Sequence, residues 1–354
     1  MGDTLSVQIG GLRLKNPIIA APGEHLIEDA GLVAAIASGA GAVVIKSTNE
    51  SEAAKRQLLQ AEYAALGPDW QPVAWGPDAP EAVTVLTRSG LHPLNFDAWL
   101  DQAVRHDRMA RAADCLLVPS LVLADLEAAV ASARQIEQAG LPVLELNIGT
   151  PYASQASRGA VSTELDPARV GEIVRAITSA VTIPVWVKLS GQSERVTALA
   201  AAATGSGAAT VVIAGRALGL VPDLDSMAPH LGTSCGIGGF WNLPLTCHWL
   251  AETRAALGPG QPLIGINGAT NGLDVARMML AGASAVGLSS AVMMRGFEVL
   301  SEAVDTLTAY CRDKGTTATA LIGRAADARR RFADMPALDQ VWRHHIPRAA
   351  RATH

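Results

Sequence analysis

The segment PLIGINGATNGLDVARMMLAGASAVGLSSA, residues 262–291, contains two strands and the helix that joins them. Its first apolar run, Leu263 to Asn267, is too short for a helix and stops at Gly268, and a second run, Ala285 to Leu288, stops at Ser289. Between them Leu273 to Ala281 carries apolar residues at helical spacing and ends on Gly282, which can take the left-handed turn that closes a helix. Strands that are apolar on both faces belong in a parallel sheet covered by helices, and a crossover helix is what parallel pairing requires.

The same alternation extends upstream. Pro17 to Ala21, Ala42 to Lys46, Leu116 to Leu121, Val143 to Asn147, Val185 to Leu189 and Thr210 to Ala214 read as strands. Ala124 to Gln138, Pro167 to Ala180, Arg195 to Ala203, Leu243 to Leu257 and Glu298 to Lys314 read as helices. With the two runs already named this makes eight units, which predicts an α/β fold of the TIM (β/α)8 barrel type over residues 1–315. LSVQIGGLRLKNP alternates around Gly-Gly and predicts an N-terminal hairpin that closes the barrel bottom. Residues 48–114 carry several prolines, three tryptophans and the turn RSGLHPLNF, too much for one crossover, and read as an insertion after strand 2 lying over the barrel mouth. The polar loop 148–166 sits where barrel enzymes place catalytic loops. Residues 316–354 form a basic C-terminal helical extension to which no chemistry is assigned.

Composition narrows the function classes. Hydrophobic residues at 49% against 17% charged exclude bulk disorder. The net charge of -5 comes from interspersed acids and bases, and no basic stripe carries aromatic partners, so nucleic acid is not an expected partner. Apolar runs break well short of the ~20 residues of a membrane span. MGDTLSVQIGG lacks a basic and then apolar signal region, so no membrane association and a cytoplasmic location are expected. Cys115, Cys235, Cys247 and Cys311 are scattered without metal or iron-sulfur spacing and read as free thiols, with no metal site.

Chemistry concentrates at strand ends, which face the active site in a barrel. Lys46 follows GAVVI and Lys188 follows PVWV, and a buried ammonium needs a partner, for which an anion, a phosphate or a flavin ring would serve. GINGA (Gly265 to Ala269) and GLSSA (Gly287 to Ala291) end the seventh and eighth strands just before helices, and GIGG (Gly236 to Gly239) precedes them. Small residues there let backbone N–H groups reach phosphate oxygens, which points to a phosphorylated cofactor.

These residues carry a resemblance. NPIIAAPG, GAVVIKS, ELNIGTP, PVWVKLSG, CGIGG, the segment quoted first and RGFEVL resemble, in order, motifs of the dihydroorotate dehydrogenases and the related dihydropyrimidine dehydrogenase domain, over roughly Asn16 to Lys314. The resemblance implies FMN across the C-terminal mouth of the barrel. It implies that Ala21 and Gly23 approach the flavin and that Lys46 and Ser47 lie beside its ring and the substrate. Asn147 would hydrogen-bond near the reacting face, and Lys188 would face the pyrimidine edge of the flavin. Gly238, Gly239, Gly268, Ser289 and Ser290 would hold the ribityl phosphate. Asn267 and Ser289 stand where the family usually has glycine.

On the substrate side this chain departs from the family. After the fourth strand the family has Asn, two small or apolar residues, a catalytic Cys or Ser, Pro and a substrate-binding Asn. Here the run is Asn147, Ile148, Gly149, Thr150, Pro151, Tyr152, so Thr150 holds the base position and Tyr152 replaces the asparagine. Two more family asparagines are lost near Thr87 and Gly215, with Arg88 and Arg216 adjacent as candidate carboxylate grips. Thr150 needs a proton relay through water, and His25 and His92 are alternative acid/base groups. The expected activity is a flavin-dependent CH–CH oxidoreductase acting next to a carbonyl in a small heterocycle or unsaturated carbonyl compound other than dihydroorotate, with Thr150, Tyr152 and Lys46 as catalytic candidates and Arg88, Asn147, Tyr152 and Arg216 binding substrate. No iron-sulfur or dinucleotide fingerprint occurs, so electrons would pass to a diffusible acceptor or a separate reductase subunit. A homodimer is expected. The rivals are a flavin-free phosphate-binding barrel that uses Lys46 or Lys188 in lyase or isomerase chemistry, and a non-catalytic FMN-binding barrel.

Overall fold

One strand of the sheet serves as both of its edges, and this closes the barrel. The computed structural model describes residues 4–151, 153, 160–213 and 215–347. A hairpin of β1 (Val7–Ile9) and β2 (Leu12–Leu14) comes first. Then follow β3 (Ile18–Ala20), α1 (Asp29–Ala37), β4 (Ala42–Val44), α2 (Glu52–Arg56), β5 (Glu62–Leu66), β6 (Thr84–Arg88), α3 (Phe96–Ala112), β7 (Leu116–Val118) and β8 (Ser120–Val122). Next are α4 (Leu126–Gln138), β9 (Leu144–Asn147), α5 (Pro167–Thr178), β10 (Val185–Lys188), α6 (Val196–Gly205), β11 (Thr210–Ile213), β12 (Ala217–Gly219), β13 (Pro222–Asp223), β14 (Ala228–Pro229) and β15 (Cys235–Gly239). The chain ends through α7 (Leu243–Leu257), β16 (Leu263–Ile266), α8 (Gly272–Leu280), β17 (Ala285–Leu288), α9 (Ser290–Arg295), α10 (Glu298–Asp313) and the single turns α11 (Ala318–Leu321) and α12 (Arg324–Asp327).

The parallel sheet runs β7-β4-β3-β17-β16-β11-β10-β9-β8. β7 and β8 are the two halves of the run read as Leu116 to Leu121, divided at Pro119, which has no N–H to donate to a ladder. β7 pairs with β4 and β8 with β9, so the ring has eight strand positions and no free edge. All eight strand positions read from the sequence are present. Most strand residues are buried on both faces, as a ring enclosed by helices requires. The β1–β2 turn at Gly10 presses on Ala209, just ahead of β11, so the hairpin caps the N-terminal end of the barrel.

Residues 48–114 need correction. α3 is an ordinary barrel helix: Asn95 caps it, Trp99, Ala103 and Ala110 are buried, and it packs on α1 and β7. The insertion therefore stops before Phe96. It contributes β5 and β6 to a four-stranded antiparallel sheet, order β12-β15-β6-β5, whose other half comes from the loop after β11. This second sheet stands over the C-terminal mouth. Residues 316–347 do not form a continuous helix. α12 is tied to α7 by Arg254 and Asp327 at 2.8 Å, and residues 329–347 are almost all exposed.

Candidate active site

The C-terminal strand ends and the second sheet enclose a cleft of about 1120 Å³, counting solvent at its open mouth. Ala21 to Glu24 after β3, Lys46 and Ser47 after β4, Asn147 at the end of β9 with Gly149 to Pro151 beyond it, and Lys188 at the end of β10 form its floor and one side. Val85, Thr87 and Ser89 face it from β6 and the residue after that strand, whereas the alternating position Arg88 points to the other face.

Lys46 is almost fully buried and does not wait for a ligand to satisfy it. Its Nζ donates to Glu24 Oε1 at 2.8 Å and to Ser89 Oγ at 3.0 Å, while Ser89 donates to the same carboxylate oxygen at 2.5 Å. Burial works against the Glu24 charge, but the adjacent ammonium and these hydrogen bonds outweigh it and hold the carboxyl at about 2. Glu24 was not among the residues singled out from sequence, because its partners lie 22 and 65 positions away.

Lys188 also has a resident partner. Its Nζ lies 2.7 Å from Oε1 of Glu145, a residue 2% exposed inside the barrel. Ser120 Oγ donates to the same oxygen at 2.7 Å and shares a 2.8 Å hydrogen bond with Ser47 Oγ. The chain Ser47, Ser120, Glu145, Lys188 thus crosses the barrel interior from β4 to β10 and fixes the second ammonium at the cleft floor.

At the far end the lining is mostly backbone and small side chains: Gly238, Asn267, Gly268, Gly287, Ser289 and Ser290. Gly268 has φ +117°, and a Cβ there would lie 2.5 Å from Leu243 N, so only glycine fits. Asn267, where the family resemblance expects glycine, has φ +69°, a left-handed conformation that asparagine tolerates better than other side chains. Its Oδ1 accepts from Gly239 N at 3.3 Å and so joins β15 to the turn after β16. Gly239 itself is not among the residues that line the cleft.

The remaining candidates fall into distinct groups. Asn147 lines the cleft, with Oδ1 accepting from Gly149 N at 3.0 Å. Thr150 lines it too; its backbone carbonyl accepts from Thr163 Oγ1, while its own buried Oγ1 has no hydrogen-bond partner among the described residues. Tyr152 lies outside the described residues. Arg216 reaches the cleft from the opposite wall and donates to Thr87 Oγ1.

Arg88 is a correction. Its donors go to Gln60 O, Leu231 O and Glu62 Oε2, at 3.0, 2.8 and 2.6 Å, so it clamps the second sheet and does not reach substrate. The two alternative histidines are also corrected. His92 Nδ1 accepts from Leu94 N, and Nε2 bonds Ile27 O at 3.2 Å. His25 is packed against Phe297 with ring centroids 5.9 Å apart, and burial lowers its pKa to about 4. Neither histidine lines the cleft.

A parallel barrel whose C-terminal cleft joins two anchored ammonium groups to a glycine-built wall has the form of a barrel enzyme's active site. A family model described as dihydroorotate dehydrogenase matches residues 76–310. The chain is 27% identical over 293 residues to dihydroorotate dehydrogenase A (fumarate) of Lacticaseibacillus paracasei, covering 81% of this chain and 91% of the relative. It is 24% identical over 331 residues to the catalytic subunit of dihydroorotate dehydrogenase B (NAD(+)) of Methanocaldococcus jannaschii, covering 92% and 99%. The corresponding subunit of Bacillus pumilus is 28% identical over 313 residues, covering 86% and 92%. The chain belongs to the dihydroorotate dehydrogenase family, whose members are flavin-dependent oxidoreductases.

Proposed function

We propose that the protein is an FMN-dependent oxidoreductase that interconverts a C–C single and double bond beside a carbonyl in a small heterocyclic or unsaturated carbonyl substrate other than dihydroorotate. The observation that carries this is the cleft itself, with Lys46 and Lys188 anchored at one end and the turn built on Gly268 at the other. Its residues fit FMN. The turns at Gly238, Gly268, Ser289 and Ser290 would hold the phosphate, and Ala21, Gly23, Ser47, Asn147 and Lys188 would border the ring. Bound there, FMN would supply the two-electron hydride chemistry that no side chain can.

The protein's own part is position and protons. Thr150 lines the cleft and its buried Oγ1 has no hydrogen-bond partner among the described residues, so in this reading it would pass a proton between substrate and a water relay. Asn147 has its Oδ1 engaged by Gly149 N, which orients its amide NH2 as a donor to a substrate carbonyl. Lys46 sets the field at the substrate end through a geometry fixed by Glu24 and Ser89. Both lysines donate to carboxylates, which weighs against the Schiff-base reading, where a neutral amine must be presented.

Dihydroorotate is disfavoured because Thr150 and Tyr152 stand where the family resemblance expects the base and an asparagine, and two more clamp asparagines are missing near Thr87 and Gly215. A site built on such hydrogen bonds discriminates steeply, and one that lacks them loses that grip. Two of the relatives are named catalytic subunits of an NAD(+) enzyme, so a separate electron-transfer subunit is one source of the second half-reaction and a diffusible acceptor the other. Among the described residues no helix is long and apolar enough to cross a membrane.

The test is anaerobic stopped flow. Cyclic enones, lactams and dihydropyrimidines are mixed with the flavin-loaded protein in whichever redox state each requires. We expect at least one to change the flavin spectrum far faster than dihydroorotate does. Thr150→Val should slow that half-reaction by about 100-fold, with Thr150→Ser retaining most of it. Unchanged rates in Thr150→Val, or dihydroorotate as the fastest substrate, would reject the reading.

A further inference from the structure

Glu24 gives the substrate end of the cleft a character that Lys46 alone would not. A lone buried ammonium at the cleft wall would be a receptor for a carboxylate. Here that ammonium is already paired with a carboxylate at 2.8 Å, and Ser89 donates to the same oxygen instead of offering its proton to the cleft. All three side chains line the cleft. Glu24 is ionised at any physiological pH, and its side chain keeps 17% exposure against 7% for Lys46, so the more accessible charge of the pair is the negative one. The hydrogen bonds from Lys46 and Ser89 both arrive at Oε1, and the Tyr63 hydroxyl lies beside the same carboxylate.

Among the described residues two other charges face the cleft: Lys188, which is matched by Glu145, and Arg216, which donates to Thr87 Oγ1 two residues before Ser89. We infer that Glu24 is a specificity-determining residue that makes the Lys46 end of the cleft a hydrogen-bond acceptor, selecting a substrate that presents an amide, amine or hydroxyl donor there and rejecting one that presents a carboxylate. This rests on the reading of the cleft as a substrate site. A carboxylate placed there would meet the Glu24 charge beside an ammonium that Glu24 already offsets, and like charges held close in a desolvated site cost affinity on the scale of powers of ten.

The experiment compares acid and amide pairs of the same skeleton, such as orotate with orotamide and cinnamate with cinnamamide. Binding to the full-length wild-type protein is followed by thermal shift and by calorimetry, with flavin content measured separately on each preparation. We expect amides to bind tighter than their acids by about tenfold or more. Glu24→Gln, which keeps the shape and removes the charge, should shrink or invert that ratio. Acids binding as tightly as amides in the wild type, no amide binding at all, or an unchanged ratio in Glu24→Gln would each overturn the inference. The wild-type ratio stands even if the variant folds poorly. Loss of flavin with the ratio intact would count against the FMN reading and not against this one.

Discussion

Replacing Lys188 by methionine leaves the Glu145 carboxyl in the barrel interior without its cation, with Ser120 alone among the described residues to bond it. At the observed 2.7 Å the two charges attract by about 6 kcal/mol for an effective dielectric near 20. Desolvating each ion costs several kcal/mol, so the intact pair contributes little net stability. Deleting one partner removes the attraction and keeps the other ion's desolvation cost, which predicts a loss of about 3–5 kcal/mol. The double variant Glu145→Gln/Lys188→Met removes both charges and should recover at least half of that loss. The assay is urea denaturation followed by circular dichroism, with released FMN quantified from each variant; Lys188→Met should also retain less flavin. If Lys188→Met costs under about 1 kcal/mol, or the double variant is no more stable than the single, the ion pair does not hold the cleft floor as described.

Three further outcomes follow from particular positions. Gly268→Ala, at φ +117° and with its Cβ 2.5 Å from a backbone nitrogen, should lower both stability and FMN retention, whereas an alanine at Gly260, which has no neighbour within 4 Å, should leave flavin content unchanged; equal retention in the two would reject the cradle. His25 has its folded pKa depressed to about 4 from an ordinary value near 6.5, so the unfolded chain takes up the proton first as pH falls. Its contribution is complete above pH 6.5 and is lost between about 6.5 and 4, up to about 3 kcal/mol, so His25→Leu should flatten the pH dependence of the denaturation midpoint in that window. Arg88→Ala should leave KM unchanged and cost no more than about 1 kcal/mol from its exposed pair with Glu62, a result that a raised KM would contradict.

The barrel was legible because its strands are short apolar runs with no competing pattern, and periodicity reports such runs directly. The division at Pro119 was visible as a residue but not as a function, since its effect is to let one run pair with β4 on one side and β9 on the other. β5, with sequence EYAAL, carries no clean alternation and owes its strand conformation to pairing with β6, so the second sheet could not be read from local propensity. Lys46 and Lys188 stood out as cations ending apolar runs, and the same logic applied to Glu145 within VLELN would have found its acid partner one strand away. Glu24 and Ser89 carried no comparable signal, because their roles depend on contacts between distant loops. Arg88 and Arg216 are close in chemistry, but Arg88 leaves the cleft because its neighbours Thr87 and Ser89 face it, whereas Arg216, just ahead of β12, enters it.

The central claim is tested most directly by the flavin content of the purified protein. After acid denaturation and separation of protein from supernatant, the account predicts FMN, and no other flavin, at close to one per chain. A colourless protein that takes up no FMN on reconstitution would contradict it.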